Sequence, residues 1–378
     1  VYGDGRVGLS PVIGVPHAFA QYIIDKFNSD ENERMAEALS RTGSKAIDRW
    51  TASSSPFITG NGFRQLCFPH VIDKAGGRCN VSTAIMQAVP SGKCLYITSD
   101  CMGKVINEFL PTVRNKITLV VHNGDQSVPD GQTDKQLGLQ TWKTLPTLQA
   151  AQENGNILAV HAQNLWWTDW RTIPRPSWLH CLPIGLENRG WSKGGNLVNY
   201  INMIREVVLG RPADYHLHSR PLLLVAFSPK RISPDRKTAL DALALNAAGT
   251  SVPFYNRTAL PHGHWLQAIG LHRFTLCPFG HGLDTHRLWE VLLMGGVPVV
   301  RRSSITSCLD DSDNQLGDVI RGSLPIVVVD SWSDVTKEFL ETKWVELSSP
   351  REPGREWDYS RIILSHWEKR ILSGHRRV

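Results

Sequence analysis

Short apolar runs recur along the chain, bounded by Gly, Pro or polar residues, with helical spacing in the gaps between them. In the first half, Leu95–Ser99, Ile117–His122, Ile157–Ala162 and Leu179–Ile184 show no alternation of apolar and polar positions. Strands of that kind are buried on both faces, which predicts a parallel sheet. The second half repeats the style at Leu222–Phe227, Val252–Tyr255, Phe274–Cys277, Val297–Val300 and Ile326–Val329. Helical spacing marks Glu33–Trp50, Leu197–Leu209, Thr285–Met294 and Trp357–Leu372. Strand and helix therefore alternate, and the expected fold class is α/β with two Rossmann-like βα domains facing a central cleft.

A chain of 378 residues exceeds what one core usually supports. Gly210-Arg211-Pro212 is the strongest internal punctuation and sets the expected boundary. The predicted organisation is an N-terminal extension over 1–90 packed on the first lobe, a first Rossmann-like domain over 91–210, a second over 211–345, and a helical segment over 346–378. Ligands bind such sheets at the carboxyl ends of their strands.

The composition excludes several classes of protein. An apolar fraction of 41% and a charged fraction of 20% suit a folded globular chain. The net charge of +6 gathers in small clusters such as Lys230, Arg231 and Arg236, which fit a small anion better than a nucleic acid. No apolar run approaches the roughly 20 residues that cross a bilayer. Because the chain opens with Val1, a membrane connection is expected only through an upstream anchor.

Cys67, Cys79, Cys94 and Cys101 fall close together without the pair spacing of a zinc site, so disulfides are expected. Seven cysteines leave one unpaired, and Cys277, within an apolar strand, is expected to be buried. With the sequons at Asn80 and Asn256, these features point to the lumen of the secretory pathway.

The segment Phe274–Val300 reads as strand, loop, helix, turn, strand. Asp284 suits an N-cap, Leu288, Val291 and Leu292 form an apolar face, and Gly295 supplies the stop. A helix opening after a Gly-bearing loop presents free N–H groups that suit a diphosphate. His286 and Arg287 stand in its first turn. Arg287 and Glu290 share a face, so a guanidinium can grip phosphate while a carboxylate accepts ribose hydroxyls. The competing reading is a surface ion pair worth under about 1 kcal/mol.

On Cys277, Pro278, Gly280, Arg287, Glu290, Gly295 and Pro298 this segment resembles the donor domain of the exostosin-like glycosyltransferases. The likeness is close over Phe274–Val300 and looser from Leu95 to Val329; residues 1–90 match nothing recognisable. It implies an inverting, metal-independent enzyme of the GT-B type, which moves a sugar from a nucleotide-sugar donor, expected to be UDP-linked, to a glycan or glycoprotein acceptor without a further cofactor. The Gly282-Leu283-Asp284-Thr285-His286 stretch departs from the commoner pattern and marks a separate subgroup. In such folds the first strand of the second domain opens toward the donor phosphates, which assigns Ser228, Lys230, Arg231 and Arg236 to that site; a solvated cluster is the alternative.

An inverting transfer needs a base on the acceptor side. Asp125, at the end of Val120–Asp125, is the first candidate and His122 the second, against an ordinary Asn-Gly-Asp turn. Glu187 is the third, with a hinge contact as its alternative. Trp166 and Trp167 could stack on an acceptor sugar, although most tryptophans pack cores. Asp310, Asp311 and Asp313 carry an Asp-x-Asp spacing that a metal-dependent GT-A enzyme would use, but a solvated loop is the preferred reading and no metal is expected. A non-catalytic glycan-binding subunit with a degenerate transferase fold is the alternative outside enzymes.

Overall fold

A computed structural model of the chain describes residues 9–10, 13–40, 54–75, 78–130, 145–167, 169–188, 195–211, 220–227, 233–246, 260–309, 324–353 and 355–373. Its first sheet contains β1 (Val71–Ile72), β2 (Cys94–Thr98), β3 (Ile117–His122), β4 (Ile157–Ala162) and β5 (Leu179–Cys181), all parallel and in sequential order. The second contains β6 (Leu223–Leu224), β7 (Phe274–Leu276), β8 (Val297–Arg301) and β9 (Val327–Val329), again parallel and sequential among the described strands. The α/β class read from the apolar runs is therefore observed. The candidate strand Val252–Tyr255 lies outside the described residues.

Sequential order in a parallel sheet sends right-handed crossovers to one face. The two faces of the first sheet accordingly meet different material. Leu95, Ile97, Leu119 and Val121 pack with Met102, Val105, Ile106 and Leu148 of the crossovers. Tyr96 and Val120, which point the other way, join a core with Phe57, Phe63 and Leu364. These come from the segment leading into α2 (Gly60–Leu66), from α2 itself and from the C-terminal helix. Leu364 N–H donates to the Pro56 carbonyl at 2.9 Å, which ties those two covering pieces together.

Helix α1 (His17–Ser40) begins well before the expected Glu33, and residues 41–50 of that expectation are not described. Its buried Phe19, Ala20, Ile23, Ile24 and Phe27 recur at helical spacing, a pattern the sequence reading passed over. Leu197–Leu209 is helical as expected, α3 (Leu197–Met203) running into a π-helical turn at Ile204–Leu209. The expected helix Trp357–Leu372 starts only at Leu364. Trp357–Asp358 instead pairs antiparallel with Leu9–Ser10, and Asp358 Oδ1 accepts from the Ser360 N–H at 3.1 Å, a local turn that competes with helix.

The second sheet is flanked by α4 (Pro234–Asn246), α5 (His262–Leu271), α6 (His286–Leu293) and α7 (Lys337–Ser348); α8 (Leu364–Ser373) closes the chain. Two buried guanidiniums finish α6. Arg211 donates to the Met294 carbonyl at 3.1 Å and to that of Gly270, and Arg220 donates to the Gly295 carbonyl at 3.3 Å. Cations at a helix C-terminus meet its orphan carbonyls and the negative end of its dipole. Among the described residues no helix is long and apolar enough to cross a membrane.

Disulfides join Cys67 to Cys94 and Cys79 to Cys101, as the cysteine spacing led us to expect, and Cys181 is also disulfide-bonded. Cys277 is free and buried. The Cys79–Cys101 bridge spans a sequence separation of 22, and closing a loop of that size removes about 3 kcal/mol of unfolded-state entropy. The double variant C79A/C101A should lose stability of that order in urea titrations; an unchanged midpoint would mean the bridge adds nothing.

Candidate functional site

The donor-type segment folds as strand β7, loop, helix α6 and strand β8, with Gly295 at φ 72° ending the helix. The N-cap differs from the expected Asp284. Thr285 occupies that position and makes no side-chain cap bond, whereas Asp284 is buried behind it. The Asp284 carboxylate accepts from the Ile184 N–H at 2.7 Å, the Thr285 N–H at 2.8 Å and the Trp289 indole at 3.0 Å. Ile184 follows β5, so this carboxylate fastens α6 to the end of the first sheet. Asn164 adds to the junction by accepting from the Asp284 N–H at 2.9 Å.

Arg287 and Glu290 are not joined by any ion pair found among the described residues. The Arg287 guanidinium lies between two rings, 5.6 Å from Phe227 and 5.5 Å from Trp265, and its Nε is buried without a hydrogen-bond partner. Arg236, on α4, donates from Nε to the Phe279 carbonyl at 3.2 Å and reaches the Gly280 turn. Burial and then repulsion from Arg287 lower the Arg236 pKa to about 10, and burial lowers that of Arg287 as well. Arg236 thus reaches the glycine loop within the field of Arg287, and although Asp235 acts on the first and Glu290 on the second, neither guanidinium is in an ion pair found among the described residues, which leaves both able to meet an anion.

Glu290 is caged. Its Oε1 accepts from Tyr200 at 2.9 Å and from His262 at 3.3 Å, and its Oε2 accepts from the Trp265 indole at 2.8 Å. Burial pushes its pKa up, but bonds from His262, Trp265 and Tyr200 outweigh it and leave the group below its ordinary value. A carboxylate oxygen takes two hydrogen bonds, so Oε2 keeps capacity for one more donor. Beneath the helix, burial raises the Cys277 thiol to about 12, so it stays protonated.

Facing this helix is the turn after β3. His122 is buried, donates from Nε2 to the Pro183 carbonyl at 2.9 Å and accepts on Nδ1 from the Asn123 N–H at 2.8 Å. Both ring nitrogens are thereby used, and burial lowers its pKa to about 4. Asp125 is exposed. Partial desolvation raises its pKa, against the pull of the His281 and His286 charges. Glu187 Oε2 stands 3.5 Å from His286 Nε2, while His286 Nδ1 donates to the Gly185 carbonyl at 2.8 Å. His286, in the first turn of α6, is therefore close enough for its charge to act on Asp125 and His122, with Glu187 beside it.

Ser228, Lys230, Arg231, Asn256, Asp310, Asp311 and Asp313 lie outside the described residues. Pro278 is buried and Gly280 is part of the loop, its N–H donating to the Gly282 carbonyl at 3.1 Å. Trp167 is 2% exposed and gives its indole N–H to the Ile173 carbonyl, so it offers no open face for a sugar. Trp166 is half-buried and Asn80 is exposed.

Tyr200, His262, Trp265 and Phe227 were not singled out in the sequence. They come from three separate segments, and only His262 and Trp265 gave a local signal, a polar and an aromatic group three apart at the start of α5. The chain matches no protein-family model and no curated protein.

Asp284 generates a pH dependence. Burial raises its pKa from 3.8 to about 6 despite the bonds from Ile184, Trp289 and Thr285. The folded state therefore holds this proton more tightly than the unfolded chain. That stabilisation is complete below the unfolded pKa and is lost as pH rises through about 6. The unfolding free energy of the unaltered chain minus that of D284N should fall between pH 4 and pH 6 and then level off. A flat difference across that range would refute the assignment.

Proposed function

We propose that this chain is a glycosyltransferase of the GT-B type, resembling the exostosin-like enzymes, that moves a sugar from a UDP-linked donor to a glycan or glycoprotein acceptor with inversion and without a metal. The observation that supports the reading is a pair of mutually repelling guanidiniums, Arg236 and Arg287, neither held in an ion pair found among the described residues, with Arg236 reaching the Gly280 turn. The first turn of α6, where Thr285 makes no side-chain cap bond, lies beside the same glycine turn and would add its backbone N–H groups. The disulfides fit an oxidising compartment, consistent with the secretory lumen.

In this mechanism the donor diphosphate rests against Arg287, Arg236 and the start of α6. Glu290 offers Oε2 to a ribose hydroxyl, and the Tyr200, His262 and Trp265 bonds keep it ionised and aimed. Asp125 takes the proton of the acceptor hydroxyl as its oxygen bonds to the anomeric carbon. The bond to the diphosphate breaks with its electron pair on the leaving oxygen, whose charge the two guanidiniums stabilise. His122, with both nitrogens engaged, holds the turn rather than moving a proton. Trp166 is the remaining tryptophan suited to line the acceptor path.

Isothermal titration with a panel of nucleoside diphosphates tests the donor site. UDP should bind, and R287A and R236A should each weaken it about 10- to 100-fold, the cost of one charge-assisted contact. Failure of every nucleotide to bind would end the proposal. D125N should keep UDP affinity and lose about 100-fold or more in transfer rate; full activity in that variant would remove Asp125 as the base.

A further inference from the structure

A closed ring of asparagines surrounds the turn that carries Asp125. The Asn61 N–H donates to Asn188 Oδ1 at 2.9 Å, Asn188 Nδ2 donates to Asn123 Oδ1 at 2.8 Å, and Asn123 Nδ2 returns to Asn61 Oδ1 at 3.4 Å. The three residues come from α2, from the turn after β3 and from the segment after β5. Asn123 has φ 54°, a left-handed conformation that asparagine adopts more readily than other side chains, and its amide closes the ring in that conformation. The same residue donates its N–H to His122 Nδ1, which locks the imidazole.

Space is as restrictive as bonding. A Cβ at Gly60 would fall 1.7 Å from Asn123 Oδ1 and 2.8 Å from His122 Nδ1, and one at Gly124 would fall 1.9 Å from Ser99 Oγ. Asn61 is 2% exposed, and its backbone N–H and Oδ1 make its two bonds in the ring. Asn188 adjoins Glu187, which faces His286 of the donor helix.

We propose that the Asn61–Asn123–Asn188 ring is a positioning device that fixes the Asp125 turn toward the donor helix, so that the segment 54–66 is an integral part of the transfer site rather than a decoration on it. This inference rests on the glycosyl-transfer reading above. Its residues act through the turn and do not touch the reacting atoms. Asn188 ties the turn to the segment that meets α6, so acceptor base and donor site are held in one frame.

The test uses the full chain with N188A, and with G60A as an independent steric wedge at the same point. Hydrogen exchange should quicken in residues 122–127 of N188A while 286–293 stays protected. UDP affinity by titration should remain within about 2-fold, while UDP release from a panel of UDP-sugars falls about 10-fold or more, as expected when a base loses its placement. N188D, which keeps the shape but removes the donor N–H and adds a negative charge near Asp125, should move the acid limb of the rate profile to higher pH. Unchanged protection of 122–127, or UDP affinity falling in step with turnover, would overturn the proposal. If the unaltered chain bound no UDP, the transfer reading would fail by itself, while exchange in 122–127 would still decide whether the ring holds the turn.

Discussion

The buried carboxylate of Asp284 is the constraint on which the candidate site depends. It sits behind the N-cap of α6 and is shared between that helix and the backbone after β5, 100 positions away in sequence. Its bonds leave Thr285 free of a side-chain cap and set the first turn of α6 toward the end of the first sheet. Desolvation makes that placement costly for an ionised group, and the surrounding N–H donors offset only part of the cost. The geometry of α6 is thus held by a group whose ionised form is costly to bury.

From that junction the site divides into two chemistries. On one side aromatic rings and cations predominate, with Arg287 between Phe227 and Trp265 and the Glu290 cage below. On the other side amides and carboxylates line the turn after β3. Trp265 serves the first group twice, stacking on Arg287 and bonding Glu290, so those two functional side chains are oriented by one indole.

Much of the fold was legible because strands buried on both faces leave continuous apolar runs, and β2 to β5, β7, β8 and β9 fall where those runs lie. The helix α6 and its Gly295 stop were also legible from the apolar face and the turn glycine, although the cap falls at Thr285 and not at Asp284. What the sequence hid is long-range. Nothing near Asp284 announces that it bonds Ile184, and nothing in Asn61 announces Asn188, because such pairs arise only when distant segments meet. The same limit explains Trp357, whose helical spacing yields to pairing with Leu9–Ser10. Trp167 illustrates the opposite error, a residue whose chemistry suggests binding but whose position is core.

The unequal covering of the first sheet bears on how the chain is made. The face carrying Leu119 and Val121 meets crossover helices drawn from its own neighbourhood, so it can be sheltered as soon as β5 has emerged. The face carrying Tyr96 and Val120 shares its core with Leu364 and α8, which are made only after the whole second sheet. Domains assemble from the amino end during synthesis, and a bare apolar surface invites association meanwhile. That flank therefore stays uncovered until α8 has been made, and the Cys67–Cys94 bridge lies on it.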